Sequence, residues 1–388
     1  MGSKISKRKF IKNSLLGAGA VSCGLCNLNS FANSFNIDFK NQRQTISAND
    51  IDKWTIEARY FVQTPKGIKC LICPNECKIL PGEEGDCKTR INIDGTLYYI
   101  AYGNPCAVHV DPIEKKPLYH FYPSTKAFSI ATAGCNLACL NCQNWEISQT
   151  SPRKTRNYDL LPKDVVDQSI KNDCKSIAYT YSDPVAFFEY AYDTARLAHE
   201  AGIKNVLVSA GYINAEPLKE LCKFSDAANI DLKSFSNEIY EMLNAGKLDP
   251  VLETLKILKS EGVWLEITNL VVPSWTDDMD MIRKMCTWLA ENGFTDTPLH
   301  FSRFHPQYKL TELPATPPSA LNQARKIALD CGLNYVYIGN VPGTDAENTY
   351  CPNCKKIVLE RKGFHLLQNK LKNNHCTFCN AFIAGKWK

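Results

Sequence analysis

From residue 127 to residue 341 the chain alternates short β-branched or aromatic runs with longer amphipathic stretches. A hydrophobic period near two that repeatedly gives way to one near 3.6 is the mark of βα units. The expected strands are 127–133, 176–181, 204–209, 227–232, 263–272, 298–303 and 334–339. The expected helices between them are 162–172, 185–201, 216–223, 249–261, 277–292 and 317–331. Pro162, Pro184, Pro217, Pro250 and Pro317 stand near helix starts, where a missing amide proton costs little. Strands joined by helices pair in parallel, so the fold class is α/β. Six or seven units are too few to close an eight-unit barrel. A partial (βα)6-type barrel fits, with its chemistry at the C-terminal strand ends. At 388 residues the chain has room for this core and small flanking modules.

Cysteine placement comes next. The chain holds eighteen, and most are clustered like metal ligands rather than spread like disulfide partners. Cys135, Cys139 and Cys142 follow the first expected strand at spacing C-x3-C-x2-C. Three thiolates can hold an iron–sulfur cluster with one iron left free of protein, since four cysteines are the usual closed set. Cys70, Cys73, Cys77 and Cys87 form a second group, with Pro74, Pro81, Gly82 and Gly85 supplying turns. Those four bind zinc or a second cluster, and staple a small β module that includes 91–93 and 97–100. Cys351-Pro352-Asn353-Cys354 and Cys376-Thr377-Phe378-Cys379 are two C-x2-C knuckles 21 residues apart, a zinc-ribbon pattern. Among the other seven, several sit in apolar helical patterns and read as small core residues.

Charge narrows the partners. The net +5 is carried by Lys4, Lys7, Arg8, Lys9 and Lys12, and the rest has 40 basic and 40 acidic residues. A neutral body gives no footing for nucleic acid. Residues 1–33 read as a targeting segment, or else as an uncleaved basic tail. Residues 6–12 resemble the twin-arginine export motif with Lys7 in place of the first arginine, and Ser30-Phe31-Ala32 offers a small-x-small cleavage site. No later stretch is long and apolar enough to span a bilayer. The expected organisation is a linker at 34–56, a four-cysteine module at 57–115, the barrel at 116–345 and the ribbon at 346–388.

Polar residues gather at the strand ends. The second strand ends at Tyr181, Ser182 and Asp183, and the third at Ser209 and Gly211. The fourth carries Asp231 and Lys233, the fifth Glu266, Thr268 and Asn269, and the sixth His300, Arg303 and His305. The last ends at Asn340. Each has an ordinary reading too: Asp231 and Lys233 as a solvated pair, His300 as a hydrogen-bonded core histidine. Together on successive strand ends they are expected to line one pocket beside the three cysteines.

C-x3-C-x2-C after the first strand of a partial barrel resembles the signature of the radical S-adenosylmethionine enzymes. More closely, the chain resembles the AmmeMemoRadiSam-system radical enzymes, relatives of the pyruvate formate-lyase activating enzymes. The matching stretches are 111–121 (Asp-Pro-Ile-Glu-Lys-Lys-Pro-Leu-Tyr-His-Phe), 142–149, 176–181, 229–233, 300–306 and 339–343. The outer cysteine groups match as well. This resemblance implies a [4Fe–4S] cluster on Cys135, Cys139 and Cys142, whose open iron chelates S-adenosylmethionine. It also implies reductive cleavage to a 5′-deoxyadenosyl radical, hydrogen abstraction from a protein or small molecule, and an electron donor such as a ferredoxin or flavodoxin. Three departures stand out. Asn141 replaces an aromatic residue before the third cysteine, leaving adenine packing to neighbours such as Trp145. Ser182-Asp183-Pro184 replaces Gly-Gly-Glu-Pro, with Asp183 expected to accept from the methionine ammonium. Ser209-Ala210-Gly211 lacks the acid of glycyl-radical activating enzymes. Activation of a glycyl-radical partner, and a non-catalytic iron–sulfur and zinc protein, are the alternatives. An export signal and a cytosolic supply of S-adenosylmethionine point to opposite compartments.

Overall fold

The structure, a computed structural model, describes residues 52–388. The export-like segment and nearly all of the expected linker lie outside the described residues. The core is built from β1 (Ala107–Pro112), β2 (Lys126–Ala131), α1 (Pro162–Lys171), β3 (Ser176–Tyr179), α2 (Phe188–Glu200), β4 (Lys204–Ser209) and α3 (Ala215–Cys222). It continues through β5 (Ala227–Asp231), α4 (Leu248–Ser260), β6 (Trp264–Val271), α5 (Met279–Glu291), β7 (Leu299–Arg303), α6 (Pro318–Asp330) and β8 (Val336–Gly339). The strands lie in the order β8-β7-β6-β5-β4-β3-β2-β1. Every neighbouring pair is parallel except β1 with β2. β1 and β8 are the two edges, so the sheet is open.

β1 is the strand that the βα alternation does not announce. It precedes β2 without a helix and pairs antiparallel, Val108 opposite Ile130 and Val110 opposite Phe128. It thereby takes 107–112, read as part of the four-cysteine module, into the central sheet. α2 starts later than its apolar pattern does. The Asp183 carboxylate takes the Val185 N–H at 3.0 Å, and Ala186 and Phe187 donate to the carbonyls of Asp183 and Pro184. Those tight turns use up the first residues of the apolar run.

Residues paired across parallel strands face the same side. One face carries Phe128, Ile177, Leu207, Ile230, Ile267 and Phe301, buried against the helices. The other carries Ala127, Ala178, Val206 and Ala227, small residues in the N-terminal halves of their strands. The space they leave is filled by Ile113, Leu118 and Phe121 from the β1–β2 connection. Each of those burials contributes about 2–3 kcal/mol, and together they seal one end of the sheet's inner face.

Two peripheral units flank this core. On the N-terminal side, Phe61–Thr64, Gly67–Cys70 and Lys78–Ile79 form one small antiparallel sheet. Ile56–Glu57, Arg90–Ile93 and Thr96–Tyr99 form another. Trp54, within the stretch read as linker, is already buried and accepts the Tyr102 N–H on its carbonyl. On the C-terminal side, Thr349–Tyr350, Ile357–Lys362 and His365–Asn369 pair antiparallel, and Leu371–Lys372 pairs with His375–Cys376. This unit packs Val358, Cys351, Cys376 and Ile383 on Tyr119, Tyr335 and Tyr337. No described helix is long and apolar enough to cross a membrane.

Candidate functional site

The loop after β2 carries the three cysteines, and its shape is set from outside. Gly134 starts it at φ +98°, where a side chain would be strained and its Cβ would lie 2.4 Å from the Cys87 carbonyl oxygen. A π-helical turn at Tyr240–Asn244, between β5 and α4, lies against the loop. Its Leu243 and Asn244 carbonyls accept from the N–H groups of Leu140 and Ala138 at 2.8 and 3.0 Å. The Asn244 amide donates to the Cys139 sulfur at 3.2 Å. Gln149 donates to the Leu137 carbonyl at 3.1 Å, and Asn136 to the Tyr212 carbonyl at 2.7 Å. Burial drives the Cys135 thiol well up, and the Asp183 charge adds to this. Burial raises Cys142 too. Such thiols give up their protons to a bound metal rather than to water.

Lys233 stands closest in charge to this loop. Its ammonium bonds Asp231 at 2.8 Å, and its N–H donates to the Tyr240 hydroxyl at 2.9 Å. Burial works against its charge, but Asp231 and then Cys139 outweigh that and hold its pKa well above the ordinary value. The ammonium therefore stays charged, paired with Asp231 on the side of the sheet that carries the Cys139 loop.

The other strand-end residues divide. Asp183 is turned inward: it accepts from Val185 N–H, from the Ser209 hydroxyl at 3.0 Å and from Ala210 N–H at 2.8 Å. It braces the β3 loop against the β4 loop. Ser182 donates to the Thr132 carbonyl, tying the same turn to the cysteine loop. Gly211, at φ +66°, has no room for a side chain, since its Cβ would lie 2.8 Å from Ile230. Thr268 and His300 share a row with Asp231, but each is already engaged. Thr268 donates to Asn229 at 2.8 Å, and His300 bonds Glu266 at 2.7 Å. Asn340 is exposed and donates to the Ser302 hydroxyl at 2.9 Å. Arg303 donates to the Thr316 carbonyl.

Three features lie beyond what the strand-end reasoning reached. Asn244 on Cys139 is one, and only its neighbour Gly246 hints at a close approach. The second is a buried charge cluster beside β1. Asp111 takes Lys116 (1% exposed), Lys115 at 2.9 Å, and the Tyr181 hydroxyl. Burial alone would raise the Asp111 carboxyl, but Lys116 above all, with Tyr181 and Lys115, holds it far below the carboxylate range. Tyr181 is thus fixed on its ring side, at φ +66°, while its carbonyl takes the Asn144 amide at 2.8 Å. The third is the bonding of Glu266, which the sequence places on β6 but not among these partners. It accepts from Tyr119 N–H, His120 N–H, the Trp264 indole and His300.

The outer cysteine groups differ in geometry. Cys351, Cys354, Cys376 and Cys379 have all their sulfurs within 4.8 Å of one another, with Cys351–Cys379 at 3.5 Å and Cys354–Cys376 at 3.8 Å. A tetrahedral ion with metal–sulfur bonds of about 2.3 Å puts its sulfurs about 3.8 Å apart. Among the described residues no other trio of such side chains is drawn together this closely. Cys70, Cys73, Cys77 and Cys87 instead line a cavity together with Arg90 and Asn136.

An open, mostly parallel α/β sheet with three cysteines in the loop after its first parallel strand defines a radical S-adenosylmethionine domain, and residues 129–286 match the Radical SAM superfamily. The chain is 46% identical over 318 residues to the uncharacterized protein MJ0808 of Methanocaldococcus jannaschii, covering 81% of this chain and 95% of that one. It belongs to the same family as that protein. It is also 28% identical over 164 residues to the pyruvate formate-lyase 1-activating enzyme of Escherichia coli K12, 41% of this chain and 67% of the enzyme. Among solved structures it is similar to a radical SAM methyltransferase from Sphaerobacter thermophilus. That likeness has a TM-score of 0.44 and 12% identity over 56% of this chain and 67% of the other.

Proposed function

We propose that the chain is a radical S-adenosylmethionine enzyme of the AmmeMemoRadiSam type, with Cys135, Cys139 and Cys142 holding a [4Fe–4S] cluster. The observation that carries this reading is the built setting of the three-cysteine loop: three cysteines at C-x3-C-x2-C spacing, braced by the π-helical turn, with Asn244 donating to Cys139. The donor set fits, because hydrogen bonds to cluster sulfurs and a buried shell are how proteins hold and tune such a group. When bound, the cluster and S-adenosylmethionine supply reductive cleavage to methionine and a 5′-deoxyadenosyl radical, which abstracts hydrogen from the substrate.

The chain's own residues then do the positioning. Lys233 offsets thiolate charge and, with Asp231, presents a zwitterionic edge suited to an amino-acid head group. Asp183, Ser209 and Gly211 keep the β3 and β4 loops rigid around it, and Tyr181 offers its backbone from a locked ring. Trp145, stacked on Tyr308 at 5.2 Å and partly exposed, is the aromatic surface beside the loop for an adenine. Thr268 and His300 support this layer from below, and Asn340 closes its far edge. The C-terminal cysteines hold zinc as a structural staple, as the 3.5 and 3.8 Å sulfur spacings fit one tetrahedral ion. The electron comes from a ferredoxin- or flavodoxin-like donor, and the hydrogen donor is a protein or small molecule.

Anaerobic reconstitution followed by dithionite and S-adenosylmethionine tests this. Formation of 5′-deoxyadenosine is expected in the wild type and not in Cys135→Ala. A cluster-loaded wild type that forms none refutes the reading. The activating-enzyme relatives favour one more specific outcome, a glycyl radical on a partner, which paramagnetic resonance would show as a doublet on the co-incubated protein.

A further inference from the structure

Four observations converge on Cys70, Cys73, Cys77 and Cys87. First, their spacing is not that of a single-ion site. The C-terminal cysteines of the same chain show what one looks like, with sulfurs in mutual contact. The N-terminal four line a partly open cavity without closing on one point. In a cubane cluster each thiolate holds a different iron at a different corner, so the sulfurs stand apart around a volume.

Second, the cavity contains an orphan donor. Arg90 is 1% exposed and bonds Glu189 through both terminal nitrogens, at 3.0 and 2.7 Å. Its Nε is buried and has no hydrogen-bond partner. An unpaired buried N–H costs about 1–3 kcal/mol. Arg90 lines the cavity, so an anionic inorganic core with sulfide faces would offer that donor its acceptor. A zinc ion has no such acceptor to give.

Third, the shell suits a reducible group. Cys70, Cys73 and Cys87 are buried, and Ile72, Ile79 and Val185 complete the lining. Fourth, the site abuts the three-cysteine loop. Gly134, one residue before Cys135, packs on the Cys87 carbonyl so tightly that no Cβ fits. Asn136, one residue after Cys135, lines the cavity beside Cys73. Its own carbonyl takes the Asn75 amide, from within the C-x2-C-x3-C run, at 2.8 Å. A single residue thus bridges the two cysteine sets.

We propose that Cys70, Cys73, Cys77 and Cys87 hold a second iron–sulfur cluster, which passes the reducing electron to the three-cysteine site by way of Cys73, Asn136 and Cys135. The relay depends on the proposed function for its acceptor. A low-potential one-electron carrier protein is oxidised by one electron, the four-cysteine cluster is reduced by one and reoxidised, and the three-cysteine cluster is reduced by one. No proton or bond is exchanged on the way.

Metal content and spectroscopy test the cluster; electron source tests the relay. In the triple variant C135A/C139A/C142A, reconstituted anaerobically, about four irons and about one zinc per chain are expected. Its dithionite-reduced paramagnetic signal should not change on adding S-adenosylmethionine, because four thiolates leave no open iron. Finding no iron and about two zincs there overturns the cluster. Should the triple variant not fold, the wild type decides: about eight irons and one zinc support it, about four irons and two zincs overturn it. For the relay, C73S/C87S is compared with wild type for 5′-deoxyadenosine formed with reduced flavodoxin and with dithionite. The flavodoxin-to-dithionite ratio is expected to fall at least about tenfold. An unchanged ratio overturns the relay. A wild type with about eight irons that cleaves no S-adenosylmethionine leaves the second cluster standing and removes the proposed function instead.

Discussion

Glu189→Gln removes one charge and almost no volume, and the structure sets its cost. Glu189 lies in the first turn of α2, where the helix N-terminus already favours an anion. Both it and Arg90 are 1% exposed. The carboxylate accepts from Arg90 Nη1 and Nη2 and from the Arg59 N–H at 2.8 Å. A glutamine can turn only one oxygen to those three donors, and its amide hydrogens meet N–H groups on the other side. The guanidinium is left buried without its counter-charge, which costs about 3–5 kcal/mol. For the 337 described residues, 52–388, an unfolding entropy of about 2.1 cal/mol/K per residue gives about 0.7 kcal/mol/K in total. The midpoint should therefore fall by about 4–7 °C if the described core unfolds as one unit. Anaerobic scanning calorimetry on metal-loaded protein measures this. A shift under about 1 °C refutes the reasoning, since it means that water or another anion already shares Arg90. The double change R90M/E189L separates two roles. If the pair only fills space, replacing both is neutral or stabilising by about 1–4 kcal/mol. If Arg90 also serves the four-cysteine cavity, the double variant keeps its midpoint but loses iron.

Three further outcomes follow from single contacts. Asn244→Leu takes the N–H donor from Cys139; the more negative reduced cluster loses more than the oxidised one, so the midpoint potential should drop by about 40 mV for a bond worth about 1 kcal/mol, read by potentiometric titration. Gly134→Ala forces a Cβ into the Cys87 carbonyl at φ +98°, and should lower stability by about 2 kcal/mol or more and iron loading at the three-cysteine loop, read by denaturation and iron analysis. His120, buried and bonded to the Ala384 carbonyl and Tyr337 hydroxyl, has its pKa pulled down by burial to about 4. The unfolded chain, at about 6.5, binds that proton first, so stability is full above pH 6.5 and is lost as pH falls towards 4, by about 3 kcal/mol in all. Urea titrations of wild type and His120→Asn should diverge in slope across that window, and parallel curves would refute the linkage.

The central sheet was legible because its strands carry local signals. Ile177, Leu207, Ile230, Ile267 and Phe301 sit in short apolar runs cut off by Gly, Pro or polar residues, and each falls on a strand. β1 was not, because an antiparallel edge strand takes its place from partners 14 to 24 residues away, Pro112 opposite Lys126 and Ala107 opposite Ala131. The three-cysteine loop was legible from spacing alone, but its brace was not. Leu243 and Asn244 touch it through backbone carbonyls, which any sequence could supply, and through the Asn244 side-chain amide, whose partner lies 105 residues away. Asp183 shows a subtler limit. An acid at a strand end reads as a ligand group, yet here two strand-end loops turn it inward and occupy it with three donors of the chain itself. The sequence gives residue types at a strand end; only packing decides which way they point.

Polarity along the inner face of the sheet is graded from one end to the other. In its N-terminal half, alanines and valines meet Ile113, Leu118 and Phe121, so no polar group is offered there. Above lies a layer of polar groups that satisfy one another: Glu266 with His300, Trp264 and two backbone amides, then His120 with Tyr337 and Ala384, then Tyr337 with Thr349. The Ala384 carbonyl can only accept, so Nδ1 of His120 carries the proton and Nε2 accepts from Tyr337. That chain runs from the sheet into the C-terminal cysteine unit, where Arg361 bonds the Tyr119 carbonyl at 2.7 Å. Most of these groups satisfy one another, though the buried Nε of Arg361 has no partner. At the strand ends Lys233 pairs with Asp231 beside the Cys139 loop. Under the proposed function, a substrate would therefore have to approach from the strand-end side, since the layer below is filled by buried side chains that bond one another.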